Sequence, residues 1–307
     1  MAITTIEPDR GDIGLRVDRV LLRHLAHLRG ASRNRLQRLI DQGAVRINGA
    51  PVTRSSRRVL AGDSIAVALP AQRERRAPVA EALPLNVLYE DDDLLVVDKP
   101  PGQVSHPSFR NRSGTLINAL LAYSGGRWTP ALVTRLDKAT SGLVLVAKAR
   151  AMHATLQRLG ERQGIDKSYL AIVSGRPPMK GSIDLALDRD PQDRRRMAVR
   201  DRGGVRSVTT FQRLRTVAIA SGRYISLVRC GLVTGRMHQI RVHLAAKGWP
   251  IVGDPVYGST SALIDRQALH AWQLAFTHPL TRAHVEVTAP IPADIELLLR
   301  ELGLIRR

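Results

Sequence analysis

Val87-Leu-Tyr-Glu90 and Leu94-Leu-Val-Val-Asp98, joined by the acidic stretch Asp91-Asp-Asp93, hold the reading on which the fold turns. Two runs of β-favouring residues around a short polar turn predict a hairpin, and a hairpin makes neighbouring strands antiparallel. The same signals recur downstream. Strand-type segments fall at 143–147, 168–173, 208–214, 224–230 and 284–288, with helical spacing at 116–123, 152–162 and 295–302. Strands predominate without a βαβ rhythm, so the expected class is α+β, with a mainly antiparallel mixed sheet. No internal repeat is evident.

Upstream, residues 1–72 form a separate compositional unit, expected to be a small α/β domain. Leu15-Arg-Val-Asp-Arg-Val-Leu-Leu22 and Arg33-Asn-Arg-Leu-Gln-Arg-Leu-Ile40 carry apolar residues at helical spacing. Ser32 is the expected N-cap of the second helix and Gly43 its stop. Short strands follow at Val45-Arg-Ile-Asn48 and, after the Gly62-Asp63 turn, at Ile65-Ala-Val-Ala-Leu69. Residues 73–84 mix charge and proline without a period and read as a linker, leaving 85–307 as the larger domain.

Forty-seven lysines and arginines stand against 27 acidic residues in 307, a formal charge of +20. Such an excess favours a polyanion, since each phosphate neutralised releases condensed counterions. Charge alone does not separate RNA from DNA or an anionic membrane surface. No apolar run approaches the roughly 18 residues that cross a bilayer, and the acidic N-terminus is unlike a secretion signal. The expected setting is therefore soluble and cytoplasmic, without a membrane partner. The single cysteine, Cys230, lies in the apolar alternation Ile225-Ser-Leu-Val-Arg-Cys230 and reads as a buried thiol, not part of a disulfide framework or zinc site.

Three segments carry more polar chemistry than scaffold requires. Thr134-Arg-Leu-Asp-Lys-Ala-Thr-Ser-Gly142 runs directly into the strand Leu143-Val-Leu-Val-Ala147 and sets a carboxylate at a strand edge. Its residues are also ordinary loop formers, so spacing alone leaves Asp137 a turn aspartate. Asp166-Lys-Ser-Tyr-Leu-Ala-Ile-Val-Ser-Gly175 opens an apolar strand with Tyr169, which by itself reads as a core aromatic. Thr234-Gly-Arg-Met-His-Gln-Ile-Arg-Val-His243 gathers two arginines, two histidines and a glutamine before a helix-like stretch at 242–247. His238 and His243 are badly spaced for a shared metal and lack an obvious third ligand, so no metal is expected.

Taken in order, Arg-Leu-Asp-x-x-Thr-Ser-Gly-Leu, Lys-x-Tyr-x-Ala and Thr-Gly-Arg-x-His-Gln-Ile-Arg-x-His resemble the pseudouridine synthases that modify large-subunit ribosomal RNA, the RluA-type family. Val97-Val-Asp-Lys-Pro-Pro-Gly102 before His106-Pro107, Val252-Gly-Asp-Pro-Val-Tyr-Gly258, Leu269-His-Ala271 and His278-Pro279 extend the resemblance over roughly residues 85–290. Ser-Arg-x-x-Leu-x-x-Leu-Ile-x-x-Gly-x-Val-x-Ile-Asn-Gly, ending in Ala-Gly-Asp-x-Ile, resembles the small RNA-binding module shared with ribosomal protein S-four, over about residues 14–70.

The resemblance implies an isomerase that turns uridine into pseudouridine without metal, redox step or nucleotide cofactor, in a chain expected to be monomeric. It implies Asp137 as covalent nucleophile, Tyr169 as the aromatic that stacks on a uracil drawn out of its helix, and Arg241 as the cation that steadies the carboxylate. Arg135, Arg236, His238, Gln239 and His106 are the expected RNA contacts around the pocket. Arg33, Arg35, Arg38 and Arg46 are those of the small module, because arginine forks suit phosphates. Seven arginines against three aspartates between 189 and 206, including Arg195, point to a further RNA-facing loop. One position departs from the family: Thr134 stands where most relatives have histidine, which leaves the subgroup and target open. Three other readings stay on the table: a transfer RNA substrate, a non-catalytic RNA-binding or ribosome-assembly factor on the same fold, and a DNA-binding regulator. The last lacks an evident groove-reading helix pair.

Overall fold

The computed structural model describes residues 2–26, 33–69, 77–108, 111–193, 195–219 and 222–305. The chain divides into two compact units, residues 1–77 and 78–307.

The smaller unit contains β1 (Ala2–Ile6), α1 (Val17–His24), α2 (Arg33–Asp41), β2 (Val45–Ile47), β3 (Ala50–Pro51) and β4 (Ile65–Leu69). Both predicted helices form because their apolar residues share one face. Val17, Val20 and Leu21 of α1 and Leu36, Leu39 and Ile40 of α2 are buried together with Val45, Ile47, Ile65 and Val67 of the strands. Each such side chain contributes about 1.5–3 kcal/mol on burial. Gly43 ends α2 as expected: at φ 68° it takes a left-handed turn that lets its N–H return to the Ile40 carbonyl at 2.9 Å. Ser32, the expected N-cap, lies outside the described residues. Strand β1 was not foreseen. It pairs antiparallel with β4 and gives the sheet order β1-β4-β2-β3.

In the larger unit the predicted hairpin is β5 (Asn86–Glu90) and β6 (Leu94–Lys99), antiparallel, with Asn86 opposite Asp98. Then come α3 (Leu116–Ser124), β7 (Ala131–Leu132), β8 (Ser141–Ala147), α4 (Arg150–Glu161), β9 (Ile165–Ser174), β10 (Lys180–Arg189), β11 (Met197–Val199), β12 (Val205–Ala218) and β13 (Tyr224–Leu232). The chain closes with α5 (Gln239–Ala246), β14 (Leu269–Thr277), β15 (His284–Thr288) and α6 (Ala293–Glu301). These strands build one sheet in the order β11-β10-β12-β13-β9-β14-β8-β6-β5, with β15 added to β14 and β7 to β8. Among the described residues every pairing is antiparallel except β14 with β8, so the fold is α+β with a mainly antiparallel sheet, as expected.

Strand β8 is buried along its whole length because both faces are covered. Leu143 and Leu145 pack with Met152 and Leu156 of α4, while Val144 and Val146 pack with Leu116 and Leu120 of α3. This two-sided burial holds the start of β8, where the Asp137 loop ends, on a rigid base. Part of the stretch read as a linker is tied down in this unit. The Asn118 side chain donates to the Val79 carbonyl at 2.7 Å, and the Glu81 N–H donates to the Asn118 carbonyl at 3.0 Å. Among the described residues, no helix is long and apolar enough to cross a membrane.

Candidate active site

Asp137 sits in the loop between β7 and β8, and that loop is fixed at almost every residue. Thr134 begins it: its hydroxyl accepts the Leu145 N–H at 2.9 Å, taking the place of a strand acceptor where β7 stops. Leu136 is clamped by Ser105, whose hydroxyl donates to the Leu136 carbonyl at 2.8 Å. The Thr140 N–H donates to the Asp137 carbonyl at 3.1 Å, closing a turn around the carboxylate. Gly142 ends the loop at φ 108°, where a Cβ would lie 2.2 Å from the Ala271 carbonyl oxygen of β14; glycine is required there.

Two buried cations hold the same loop from below. Lys99, at the end of β6, is wholly buried and donates to the carbonyls of Pro100, Gln103 and Lys138 at 2.7, 3.0 and 3.3 Å. Burial pushes its pKa down to about 8; the neighbouring Arg266 charge acts in the same sense, while Asp137 opposes it. Arg266 grips Asp294 of α6 at 2.6 and 2.8 Å and donates to the Ala139 carbonyl at 3.1 Å. Gln267 adds a bond to the Thr140 hydroxyl at 3.1 Å. None of these three supports was expected in that role, although Lys99 lies in the Val97–Gly102 motif.

Against this loop stands Arg241 of α5, buried, with its Nη1 3.0 Å from Asp137 Oδ2. Its other edge is held by Asp254, whose two oxygens accept from Nε and Nη2 at 2.7 and 2.8 Å. Asp254 is completely buried and also accepts the Val256 and Tyr257 N–H groups at 2.9 and 3.2 Å. Burial works against the charge of each partner, yet their mutual bonds win: the Arg241 pKa is raised and that of Asp254 lowered. The Asp137 side chain remains 24% exposed, so a reacting group can reach it.

Tyr169 lies near the start of β9, opposite Cys230 of β13 and Ala271 of β14. Its ring is buried, and burial together with the Asp137 charge pushes the phenol pKa well above its usual value, so it stays protonated. Cys230 is the buried thiol that was expected, its pKa pushed up to about 12 by burial.

The other expected contacts divide. His238 comes into the site, with Nε2 3.8 Å from Asp137 Oδ2 and Nδ1 2.9 Å from the Tyr257 hydroxyl. Arg135 and Arg236 are exposed on the loops that carry Asp137 and His238, and His106 is exposed on the loop after β6. Gln239 is not where an RNA contact would stand. It is buried, and its amide is committed to Thr234, the Arg236 N–H, the Val208 carbonyl and the Thr209 hydroxyl at 2.9–3.0 Å. It shapes the loop that presents His238. His243 turns away to bond Thr209 at 2.9 Å, so the two histidines share no ligand. Arg195 is exposed and paired with Asp193 at 2.9 Å, while its neighbour Arg194 lies outside the described residues. Arg33, Arg35, Arg38 and Arg46 belong to the smaller unit: Arg33 opens α2, Arg35 and Arg38 lie within it, and Arg46 is exposed and donates to the Gly49 carbonyl at 3.0 Å.

A half-exposed carboxylate on a rigid loop, beside a clamped guanidinium and a buried tyrosine, is equipped for nucleophilic work on a planar base. Residues 93–246 match the RNA pseudouridylate synthase family and residues 15–65 the S4 domain. The chain is 38% identical to ribosomal large subunit pseudouridine synthase D of Zymomonas mobilis over 313 residues, 96% of each chain. It is 40% identical to the protein of that name from Nitrosomonas europaea, over 94% of this chain and 85% of that one. Among solved structures, human RNA pseudouridylate synthase domain containing 1 superposes with a TM-score of 0.55 at 26% identity, covering 74% of this chain and 97% of that one. The chain therefore belongs to the RNA pseudouridylate synthase family and is an isomerase carrying an S4 domain ahead of its catalytic unit.

Proposed function

We propose that this enzyme converts uridines of large-subunit ribosomal RNA to pseudouridine, with Asp137 as covalent nucleophile acting on a base flipped out of its helix. The observation that carries the reading is the arrangement of Asp137 Oδ2 3.0 Å from Arg241, itself held by the buried Asp254. In the reaction the bond from ribose C1′ to N1 breaks, the uracil turns, and C1′ joins C5. The proton lost from C5 balances the one gained at N1, so no oxidant, reductant or metal is consumed.

Each group has a part in this scheme. Asp137 forms and releases the covalent adduct. Arg241 keeps its carboxylate aimed and charged, and because Asp254 fixes the fork in advance, little reorganisation is needed when the substrate arrives. The protonated Tyr169 offers a ring on which the uracil stacks and a hydroxyl that can assist a proton transfer. Unstacking a base from RNA costs a few kcal/mol, which contacts from exposed arginines to the distorted backbone can offset. Arg135 and Arg236, exposed on the loops of Asp137 and His238, serve that purpose. Arg33, Arg35, Arg38 and Arg46 of the S4 domain, and Arg195 on the β10–β11 hairpin, supply further phosphate contacts. The ribosomal substrate rests on the names of the relatives, which also support a cytoplasmic site of action.

The test is to map pseudouridines in RNA from cells that carry wild-type protein, no protein, or Asp137→Asn. Asp137→Asn is expected to abolish the modification while binding RNA within about twofold of wild type. Turnover by that variant would sink the nucleophile assignment. Sites lost only from transfer RNA would move the substrate, and no lost sites would favour a binding role.

A further inference from the structure

His238 occupies an unusual position. It is the residue before α5, with a left-handed backbone at φ 55° and ψ 16°. Non-glycine residues seldom adopt this conformation, and where they do it is commonly at functional sites. Its ring meets the Tyr257 ring edge-on, with centroids 5.6 Å apart and planes at 75°. Nδ1 lies 2.9 Å from the Tyr257 hydroxyl, and Nε2 faces Asp137 Oδ2 at 3.8 Å. That last distance exceeds a hydrogen bond and leaves Nε2 partly free for an incoming group.

The direction of these bonds can be worked out from Tyr257. Its hydroxyl accepts the Met197 N–H at 2.8 Å, and a backbone amide can only donate. The hydroxyl proton is then free to donate to His238 Nδ1, and in that arrangement Nδ1 is the lone-pair nitrogen. A neutral imidazole carries one proton, so it sits on Nε2, the nitrogen that faces Asp137. The ring also tends to stay neutral. Burial lowers its pKa, an effect the Asp137 and Asp254 carboxylates oppose and the Arg241 charge reinforces. Tyr257 is itself held in place: its N–H bonds Asp254 at 3.2 Å, and the guanidinium groups of Arg241 and Arg196 lie 5.1 and 5.5 Å from its ring. Arg196 further donates to the Val256 carbonyl at 2.8 Å.

We propose that Tyr257 is a positioning residue for the isomerisation, whose hydroxyl fixes His238 as the Nε2–H tautomer so that a neutral N–H donor faces Asp137 and the bound uridine. This rests on Asp137 being the reacting carboxylate. The donor serves whichever oxygen lies between the two residues, either a uracil carbonyl or a hydroxyl of the ribose. Negative charge develops on the uracil carbonyls as the bond from C1′ to N1 breaks, while a ribose hydroxyl would only be held in place, and a donor already aimed at either needs no reorientation. The anchor of the chain is Met197 at the start of β11, so the arginine-bearing β10–β11 hairpin is linked to the carboxylate through only two side chains.

The tautomer can be read directly from the 15N chemical shifts of histidine-labelled protein, with His238 assigned by the signals lost in His238→Gln. Wild type is expected to show protonated Nε2 and unprotonated Nδ1, and Tyr257→Phe a mixture of both tautomers. With unmodified large-subunit ribosomal RNA, Tyr257→Phe should lower kcat about tenfold, the size of one lost hydrogen bond, with KM within about twofold. His238→Ala removes the donor altogether, so it should lower kcat at least as much as Tyr257→Phe, and Tyr257→Phe should cost little more when added to it. A structural role alone would lower stability or affinity equally in both backgrounds and leave the 15N pattern unaltered. A protonated Nδ1 in wild type would overturn the proposal even if Tyr257→Phe failed to fold. So would a kcat for Tyr257→Phe equal to wild type, or an equal loss in both backgrounds. An active Asp137→Asn variant would instead overturn the nucleophile reading and leave the tautomer result untouched.

Discussion

Asp254 holds Arg241 by two edges, at 2.7 and 2.8 Å, leaving Nη1 to reach Asp137 at 3.0 Å. The aim of the guanidinium is thus set by a residue that is itself wholly buried. Removing one partner of a buried ion pair costs about 3–5 kcal/mol, because the other charge is left without compensation. Asp254→Asn keeps an acceptor for the backbone N–H groups, so a loss near the lower end, about 3 kcal/mol, is expected in urea unfolding. Turnover should fall by about 100-fold, the usual consequence of a misplaced reacting group. Single-turnover kinetics of the folded variant would measure it, and wild-type rates would show that Asp254 does not control the aim of Arg241.

Thr134 has a definite task despite departing from the family pattern: its hydroxyl accepts the Leu145 N–H at 2.9 Å. Thr134→Val is nearly isosteric and leaves that N–H without an acceptor, at about 1–3 kcal/mol. Thr134→Ser keeps the bond and should unfold within about 0.5 kcal/mol of wild type. Thermal or urea unfolding of the pair separates the hydroxyl from the methyl. Equal losses would mean that packing, and not the bond, matters there.

His270 gives a pH dependence with a defined sign. Burial, reinforced by the Arg266 charge, lowers its pKa to about 4, from 6.5 in the unfolded chain. Between these values the unfolded state binds a proton that the folded state does not. This part of the stability is present above pH 6.5 and is lost as pH falls towards 4, by at most about 1.4 kcal/mol per unit. His270→Gln should flatten the stability profile between pH 4.5 and 6.5. An unchanged slope would assign the acid sensitivity to other groups.

The exposed arginines of the S4 domain should act through phosphates. Changing Arg33, Arg38 and Arg46 together to glutamine leaves the buried core of that unit intact. RNA affinity should drop, and the slope of log affinity against log salt should become shallower by about 2, since each phosphate contact contributes about 0.7–0.9. Filter binding at several salt concentrations would show it. An unchanged slope would mean that these residues do not touch RNA.

The legible parts of the molecule were those whose signal is local. The β5–β6 hairpin announced itself because its two apolar runs and acidic turn are contiguous, and α1 and α2 because each buries one face. Strand β10 escaped because it alternates buried Ile183 and Leu187 with exposed polar residues in a stretch dense in charge. Strand β14 escaped for the opposite reason: it is central, its polar His270 is buried, and a bulge breaks its register between Ala271 and Gln273. At the site, the trio Asp137, Tyr169 and Arg241 came from ordered motifs. Asp254 and Lys99 stood in motifs of the resemblance without a role, and Arg266 stood in none. Their parts depend on which backbone carbonyls come to lie beside them, and that is tertiary information. Gln239 misled because a polar residue in a polar motif looks like a contact until its burial is known.

The parallel pairing of Ser141 with His270 joins positions far apart in the chain, and β14 lies between β8 and β9, both made much earlier. A growing polypeptide that has not reached Ala271 therefore has a sheet split in two, with the Asp137 loop lacking its neighbour at Gly142. Such long-range closure is among the slower steps of folding. Seating of the Asp137 loop thus waits for β14, so a chain cut before that strand can keep its S4 domain and yet lack the support against which Gly142 closes.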